Sequence, residues 1–268
     1  MGKLDVLLFY LRTSKSPSFI CRIILYSLFG MFNKKNVLVR RILKALNRRP
    51  ILLKTDFGTF LAYPSLSWVL HPNYEPKIKD VILKNVTEFE KESDKIFIDV
   101  GAHVGRYAIE IGKNYGYSVI AFEPSPQTFK LLKKNISHSR IENKIHVFNF
   151  GLDSKNGSVS FEDDEFEGAN RIVYGGERTI RIPVKRFDDL KIKNIDKTRL
   201  IVIDVEGSEY GAILGMKQML KRSKAIDVIV EIFENSENKG AILSLMKSLD
   251  FKHRQIDSQN HLFYKRTK

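Results

Sequence analysis

Residues 96–107 read Ile96-Phe97-Ile98-Asp99-Val100-Gly101-Ala102-His103-Val104-Gly105-Arg106-Tyr107. Ile96 to Ile98 and Val100 are bulky and apolar, which suits a strand buried on both faces. Asp99 and two glycines spaced G-x-x-x-G accompany it, and then Tyr107, Ala108 and Ile111 open a helical pattern. Strand, glycine turn and helix in that order predict the first unit of a doubly wound α/β sheet. The spacing narrows the ligand. A pyrophosphate-binding turn needs G-x-G-x-x-G, and position 103 is His. Asp-x-Gly-x-x-x-Gly suits a ligand with no phosphate, whose cationic amino-acid end meets the Asp99 carboxylate.

The next strand agrees. Tyr117 to Phe122 is followed by Glu123, 18 positions past Gly105. An acidic residue about 20 positions beyond the glycine turn is placed to accept ribose hydroxyls. A ribosylated ligand without a pyrophosphate is expected, and S-adenosylmethionine is the common molecule of that description.

Three blocks in order carry a resemblance: Ile98 to Gly105, then Ala121-Phe122-Glu123-Pro124-Ser125-Pro126, then Ile203-Asp204-Val205-Glu206-Gly207-Ser208-Glu209. Together they resemble the FkbM family of S-adenosylmethionine-dependent methyltransferases, from about Ile51 to the C-terminus. The resemblance implies a Rossmann-like class I methyltransferase: an α/β fold with a seven-stranded, mostly parallel sheet and an antiparallel last strand. It also implies a cofactor site of Asp99, Gly101, Ala102, His103, Gly105 and Tyr107, with Glu123, Pro124 and Ser125 at the ribose. Asn149, Gly151 and Leu152 match the family block that flanks adenine. By the same resemblance Asp204 and Glu206 form the pair at the reacting centre, and the acceptor is a hydroxyl of a sugar, glycolipid or secondary metabolite. His103 replaces the family's usual Asn; it either touches the cofactor's methionine end or acts as a base. Val202 stands where the family often has Lys.

Methyl transfer from a sulfonium is an in-line displacement in which the protein supplies position, desolvation and often a base. An alcohol proton must be removed during attack, so the base belongs at the carboxyl edge of the sheet. Asp204, Glu206, Glu209, His103 and Glu231 are the candidates there, and which one takes the proton stays open. A divalent ion on three of these carboxylates is the lesser alternative, and no resident metal is expected.

The composition sets bounds. The 268 residues are 43% hydrophobic, as in a globular protein. Cys21 is the single cysteine, so an internal disulfide and a zinc framework are both excluded, and a reducing, cytoplasmic location is expected. The net charge is +14, yet residues 1–54 hold twelve Lys or Arg against Asp5 alone, a net +11, leaving +3 for the remainder. That asymmetry argues against a nucleic-acid enzyme with a basic groove throughout.

The domain reading is a basic helical arm over residues 1–50 and a methyltransferase domain over 51–268. The latter divides into a lead-in at 51–92 and a core at 93–268. Phe19 to Phe32 is too short to span a membrane, which takes roughly 20 residues. Val37 to Leu46 forms a basic amphipathic helix, suited to peripheral contact with an anionic membrane at its inner face or to packing on the domain. Ile51 to Tyr63 reads as a hairpin, and 74–89 as a helix. Trp68, His71 and Tyr74 are expected at the pocket's border. From Ile96 strands and helices alternate: strand 96–100, helix 105–114, strand 117–122, helix 126–136 and strand 145–150. An inserted strand pair, 158–162 with 179–184, flanks an acidic loop at 162–170, which suits a lid. Strands 200–204 and 226–231, a helix at 239–249 and a closing hairpin (251–256, 261–265) complete the sheet. The rival readings are an RNA methyltransferase anchored by the arm and a non-catalytic Rossmann-like module. A nicotinamide-dependent oxidoreductase is weakened by the missing middle glycine.

Overall fold

The computed structural model of the chain describes residues 3–14, 16–32, 36–162, 171–172 and 179–266. Three helices come first, α1 (Lys3–Thr13), α2 (Pro17–Phe29) and α3 (Val37–Leu46). Ser16 and Asn36 cap α2 and α3, each side-chain oxygen accepting from backbone N–H groups of the first turn. A hairpin of β1 (Ile51–Thr55) and β2 (Gly58–Ala62) leads to α4 (Pro76–Glu88). The alternating part then runs β3 (Ile96–Val100), α5 (Arg106–Asn114), β4 (Ser118–Phe122), α6 (Pro126–Ser139) and β5 (Ile145–Phe148). Four short strands follow, β6 (Gly151–Leu152), β7 (Gly157–Glu162), β8 (Arg171–Ile172) and β9 (Thr179–Lys185). The chain closes with β10 (Thr198–Ile203), α7 (Glu209–Gly215), α8 (Lys217–Arg222), β11 (Ile226–Glu231), α9 (Lys239–Ser248), β12 (Lys252–Gln255) and β13 (Asn260–Lys265).

The main sheet has seven strands in the order β12-β13-β11-β10-β3-β4-β5. Strands β11, β10, β3, β4 and β5 are parallel, and β13 lies antiparallel between β11 and β12. This is the expected Rossmann-like class I architecture. Each residue of β3 is buried, and alternate side chains enter separate cores. Phe97 packs with α5, α6 and the hairpin, whereas Ile98 and Val100 pack with α7 and α9. Burial on both faces is why the strand reads as an apolar run and not as an alternation.

One strand boundary near the site differs from expectation. The strand read as 145–150 stops at Phe148, because the Asn149 side chain donates to the carbonyls of Glu123 (2.9 Å) and Pro124 (3.1 Å) and turns the chain away. Gly151 and Leu152 then join a second sheet, ordered β6-β9-β7-β8, in which the expected 158–162 and 179–184 pairing is present as β7 against β9. The acidic loop at 162–170 lies, beyond Glu162, outside the described residues.

The arm seats on the lead-in. Tyr10, Phe19 and Ile23 are buried in one core with Leu53, Leu66 and Leu70. No helix among the described residues is long and apolar enough to cross a membrane.

Candidate active site

Ligands of a doubly wound sheet bind at the carboxyl ends of its strands. Here the ends of β3, β4 and β10 open on one cleft, lined by Asp99, Gly101, Ala102 and His103 from the glycine turn, by Glu123 and Pro124, and by Asp204 and Glu206. Tyr107, Gly151 and Leu152 line it as well.

The turn's geometry explains its glycines. Gly101 sits at φ +89°, and a Cβ there would fall 1.8 Å from the Asp204 carbonyl oxygen. Such an approach between the loops after β3 and β10 is open only to a residue without a side chain. Gly105 caps α5 in the left-handed region, at φ +88°. The amides of Gly101 and Ala102 both donate to the Phe122 carbonyl, at 3.0 and 2.9 Å, joining the turn to β4. Glu123 completes that junction. Its carboxylate accepts from the N–H of His103 (2.8 Å) and of Ser125 (2.9 Å), two charge-assisted bonds that fix it at the cleft wall.

Three residues expected at the cofactor are not among those lining the cleft. Ser125 is fully buried, caps α6 by accepting from the Thr128 N–H (3.2 Å), and holds Glu123 through its own amide. Asn149 pins the chain between β5 and β6. Gly105 lets α5 start against Leu132, whose Cδ1 would lie 2.6 Å from a Cβ. All three shape the site from behind. Of the expected border residues, Trp68 and Tyr74 line the cleft, their rings edge-on at 5.2 Å. His71 faces Phe9 of α1 instead, and its Nδ1 accepts from the Asn73 N–H.

Asp99 is 3% exposed, and its Oδ2 has no hydrogen-bond partner. Burial pushes its carboxyl up to about 7, opposed by a hydrogen bond from the Ala108 amide. The buried Arg106, which the sequence reading did not single out, lines the same cleft. It is paired with Glu110 and lies over the Phe57 ring at 3.6 Å, while its Nε has no partner. An orphaned carboxylate oxygen and an orphaned guanidinium N–H in one cleft suit the ammonium and carboxylate of an amino acid. With Glu123 for a ribose, and His103 where a dinucleotide turn has glycine, the residues present fit S-adenosylmethionine.

A second group of side chains stands at the ends of β10 and β11. Carboxylate oxygens of Asp204, Glu206 and Glu231 lie within 4.8 Å of one another. Glu206 is held in the left-handed region (φ +52°) just before Gly207. Burial, then the charge of Glu231 and a hydrogen bond to it, push Asp204 well above the carboxylate range. Glu231 is itself pushed up to about 7, first by burial, with Glu206 and Glu75 adding to it. Like charges this close cannot all ionise, so Asp204 holds a proton and donates it to Glu231. Oxygens at this spacing can also be bridged by a cation.

Glu75, unmarked in the sequence, accepts a hydrogen bond from Tyr107 Oη beside this group. Glu209 is the exception among the expected carboxylates. It is buried at the start of α7 and accepts from the Gly207 N–H at 2.7 Å, which makes it a helix-start carboxylate. His103, expected near its ordinary 6.5, is pushed down to about 4 by burial and is neutral at pH 7. That suits contact with the cofactor better than proton abstraction.

The chain is similar to known methyltransferases. Residues 99–253 match the family model described as the methyltransferase FkbM domain. Hexuronic acid methyltransferase AglP of Haloferax volcanii is 30% identical over 152 residues, 56% of this chain and 61% of that protein. The chain thus matches less than two thirds of that relative's length. Methyltransferase 1 of Beauveria bassiana is 22% identical over 183 residues, 59% of this chain and 72% of that one. Among solved structures the METTL16 methyltransferase domain aligns at TM-score 0.49 and 15% identity, over 95% of this chain and 94% of that chain. A match from Asp99 through β10, β11 and α9 takes in the glycine turn, Glu123 and the Asp204 carboxylates, and the chain belongs to the FkbM family of S-adenosylmethionine-dependent methyltransferases.

Proposed function

We propose that this chain transfers a methyl group from S-adenosylmethionine to a hydroxyl of a sugar, glycolipid or other small molecule. The observation carrying the reading is the placement of the paired Asp204 and Glu231 carboxyls, with Glu206, beside the cleft that fits the cofactor. A relative that is a hexuronic acid methyltransferase supports a sugar-like acceptor.

When bound, the cofactor supplies an electrophilic methyl on a sulfonium. The chain does the rest. Asp99 would hold the ammonium and Arg106 the carboxylate of its methionine end, and Glu123 the ribose hydroxyls. Gly151 and Leu152 would border the adenine, and a neutral His103 would face the cofactor. Trp68 and Tyr74 exclude water on the acceptor side and present a flat surface to a sugar ring. The acceptor's O–H proton passes to Asp204 as the Asp204 proton passes to Glu231. Losing that proton would raise the electron density on the acceptor oxygen, which is what attack on the methyl requires. Glu206 orients the hydroxyl. The relay needs Glu231 ionised and the pair holding one proton.

Residues 51–268 form the methyltransferase unit in this reading, and 1–50 an arm. The reaction is placed in the cytoplasm, at the inner membrane face. The test is incubation of the full chain with methyl-labelled cofactor and cell extract, followed by fractionation. Label in a glycan, lipid or small molecule, stable to mild alkali as an ether, is expected. Label in RNA would establish the nucleic-acid alternative. Cofactor binding without any transfer would favour the non-catalytic one.

A further inference from the structure

Among the described residues eleven large apolar side chains stand exposed, and eight of them lie between positions 8 and 38. The densest group is Ile24, Leu28, Met31, Phe32, Val37 and Leu38, at the end of α2, the turn beyond it and the start of α3. Met31, Phe32, Val37 and Leu38 are each more than 60% exposed. The helices are not frayed there by lack of a core. Phe19 and Ile23 of α2 and Leu43 of α3 point inward and are buried, so the outer faces are presented by packed helices. Ile24 and Leu28 stand one turn apart on the outer side of α2. Positions 37, 41 and 44 of α3 follow one another at helical spacing, and Arg48 lies two residues beyond the end of the helix. That stripe passes from the apolar Val37 to Arg41, Lys44 and Arg48, all exposed.

An apolar tip continued by a basic stripe has a definite complement. A second copy of the chain would set one +10 arm, residues 1–50, against another. An anionic bilayer instead offers acyl chains to the tip and phosphates to the stripe. We infer that the end of α2 and the start of α3 insert into the headgroup region of an anionic membrane, with Leu28, Met31, Phe32, Val37 and Leu38 as the wedge and Arg41 and Arg48 over the lipid phosphates. The inference specifies the surface for the peripheral placement proposed above, and it does not depend on methyl transfer.

The test is sedimentation of the full chain with vesicles of phosphatidylcholine alone and of equal parts phosphatidylcholine and phosphatidylglycerol. Binding to the anionic vesicles only is expected, weakening at least tenfold between low and high salt as the charges are screened. The triple variant Met31→Ser, Phe32→Ser, Leu38→Ser is expected to lose at least tenfold in vesicle affinity, and Arg41→Glu with Arg48→Glu to abolish binding. Their side chains are outside the core, so cofactor binding, measured by calorimetry, stays unchanged and certifies the fold. No binding, or equal binding to neutral vesicles, overturns the inference. So does a stable dimer in analytical ultracentrifugation that the apolar triple variant breaks. Absent cofactor heat with intact vesicle binding would instead remove the methyltransferase reading alone.

Discussion

Replacing Asp99 by Asn separates what the buried carboxylate costs the fold from what it gives the ligand. In the unfolded chain the group ionises near 3.8, and burial pushes it up to about 7. Between these values the folded state binds the extra proton, so stability falls as pH rises through the window and levels off above about 7. At about 1.4 kcal/mol per tenfold change in proton affinity, the burden on the wild type is about 3 kcal/mol larger near pH 8 than near pH 5. Asn carries no charge at either pH and is nearly the same shape. Any fixed cost of its amide group at the unpartnered Oδ2 position cancels in the comparison. The stability of the Asn variant relative to wild type is therefore expected to improve by about 3 kcal/mol from about pH 5 to about pH 8. Urea unfolding of the ligand-free protein at the two pH values measures this directly. The same variant should lose at least tenfold in cofactor affinity, since the ammonium loses its charged partner. A difference between the two proteins that ignores pH would refute the burial argument, and undiminished affinity would refute the assignment of Asp99 to the ammonium.

Gly101→Ala is expected to abolish cofactor binding and to destabilise by about 3 kcal/mol or more, because the new Cβ meets the Asp204 carbonyl at 1.8 Å; calorimetry and thermal unfolding check both. Asp204→Asn is expected to lower kcat by about 10²–10⁴-fold with cofactor affinity retained. Wild-type kcat/KM should rise with pH through about 7, where Glu231 ionises, and Glu231→Gln should remove that rise; dialysis against EDTA should leave the wild-type profile unchanged, since the pair holds a proton. Asn135 is fully buried, its amide donating to the Val104 carbonyl and accepting from the Leu61 N–H, both at 2.9 Å. Asn135→Ala strands both groups and should cost about 2–4 kcal/mol in chemical unfolding, loosening the hairpin from the glycine turn.

The sheet was legible because its strands are buried on both faces. Leu200 to Ile203 is an apolar run, and Ile96 to Val100 and Ile226 to Val230 are runs broken only by Asp99 and Asp227, a pattern that no amphipathic element would use. The carboxylates at their ends were legible for the same reason, as breaks in such runs. Side-chain capture was not. The end of β5 depends on where the Asn149 amide donates, and a strand pattern carries no record of that. Nor was the Asp204–Glu231 pair evident as a pair, since adjacency of β10 and β11 brings together positions far apart in the chain. Arg106 reads as an ordinary helix charge until Phe57 of the hairpin is seen beneath it. His103 shows the limit of reasoning from ordinary proton affinity. Its type invites a base, and burial lowers the proton affinity that such a role needs.

The central claim is that the cleft between the β3 turn and β4 takes an adenosyl sulfonium and not a dinucleotide. Calorimetric titration of the full chain with S-adenosylmethionine, and separately with NADH, tests it most directly. One cofactor molecule per chain, bound with measurable heat and displaced by S-adenosylhomocysteine, with no heat from NADH, is the expected result. Heat from NADH and none from the methyl donor would contradict it.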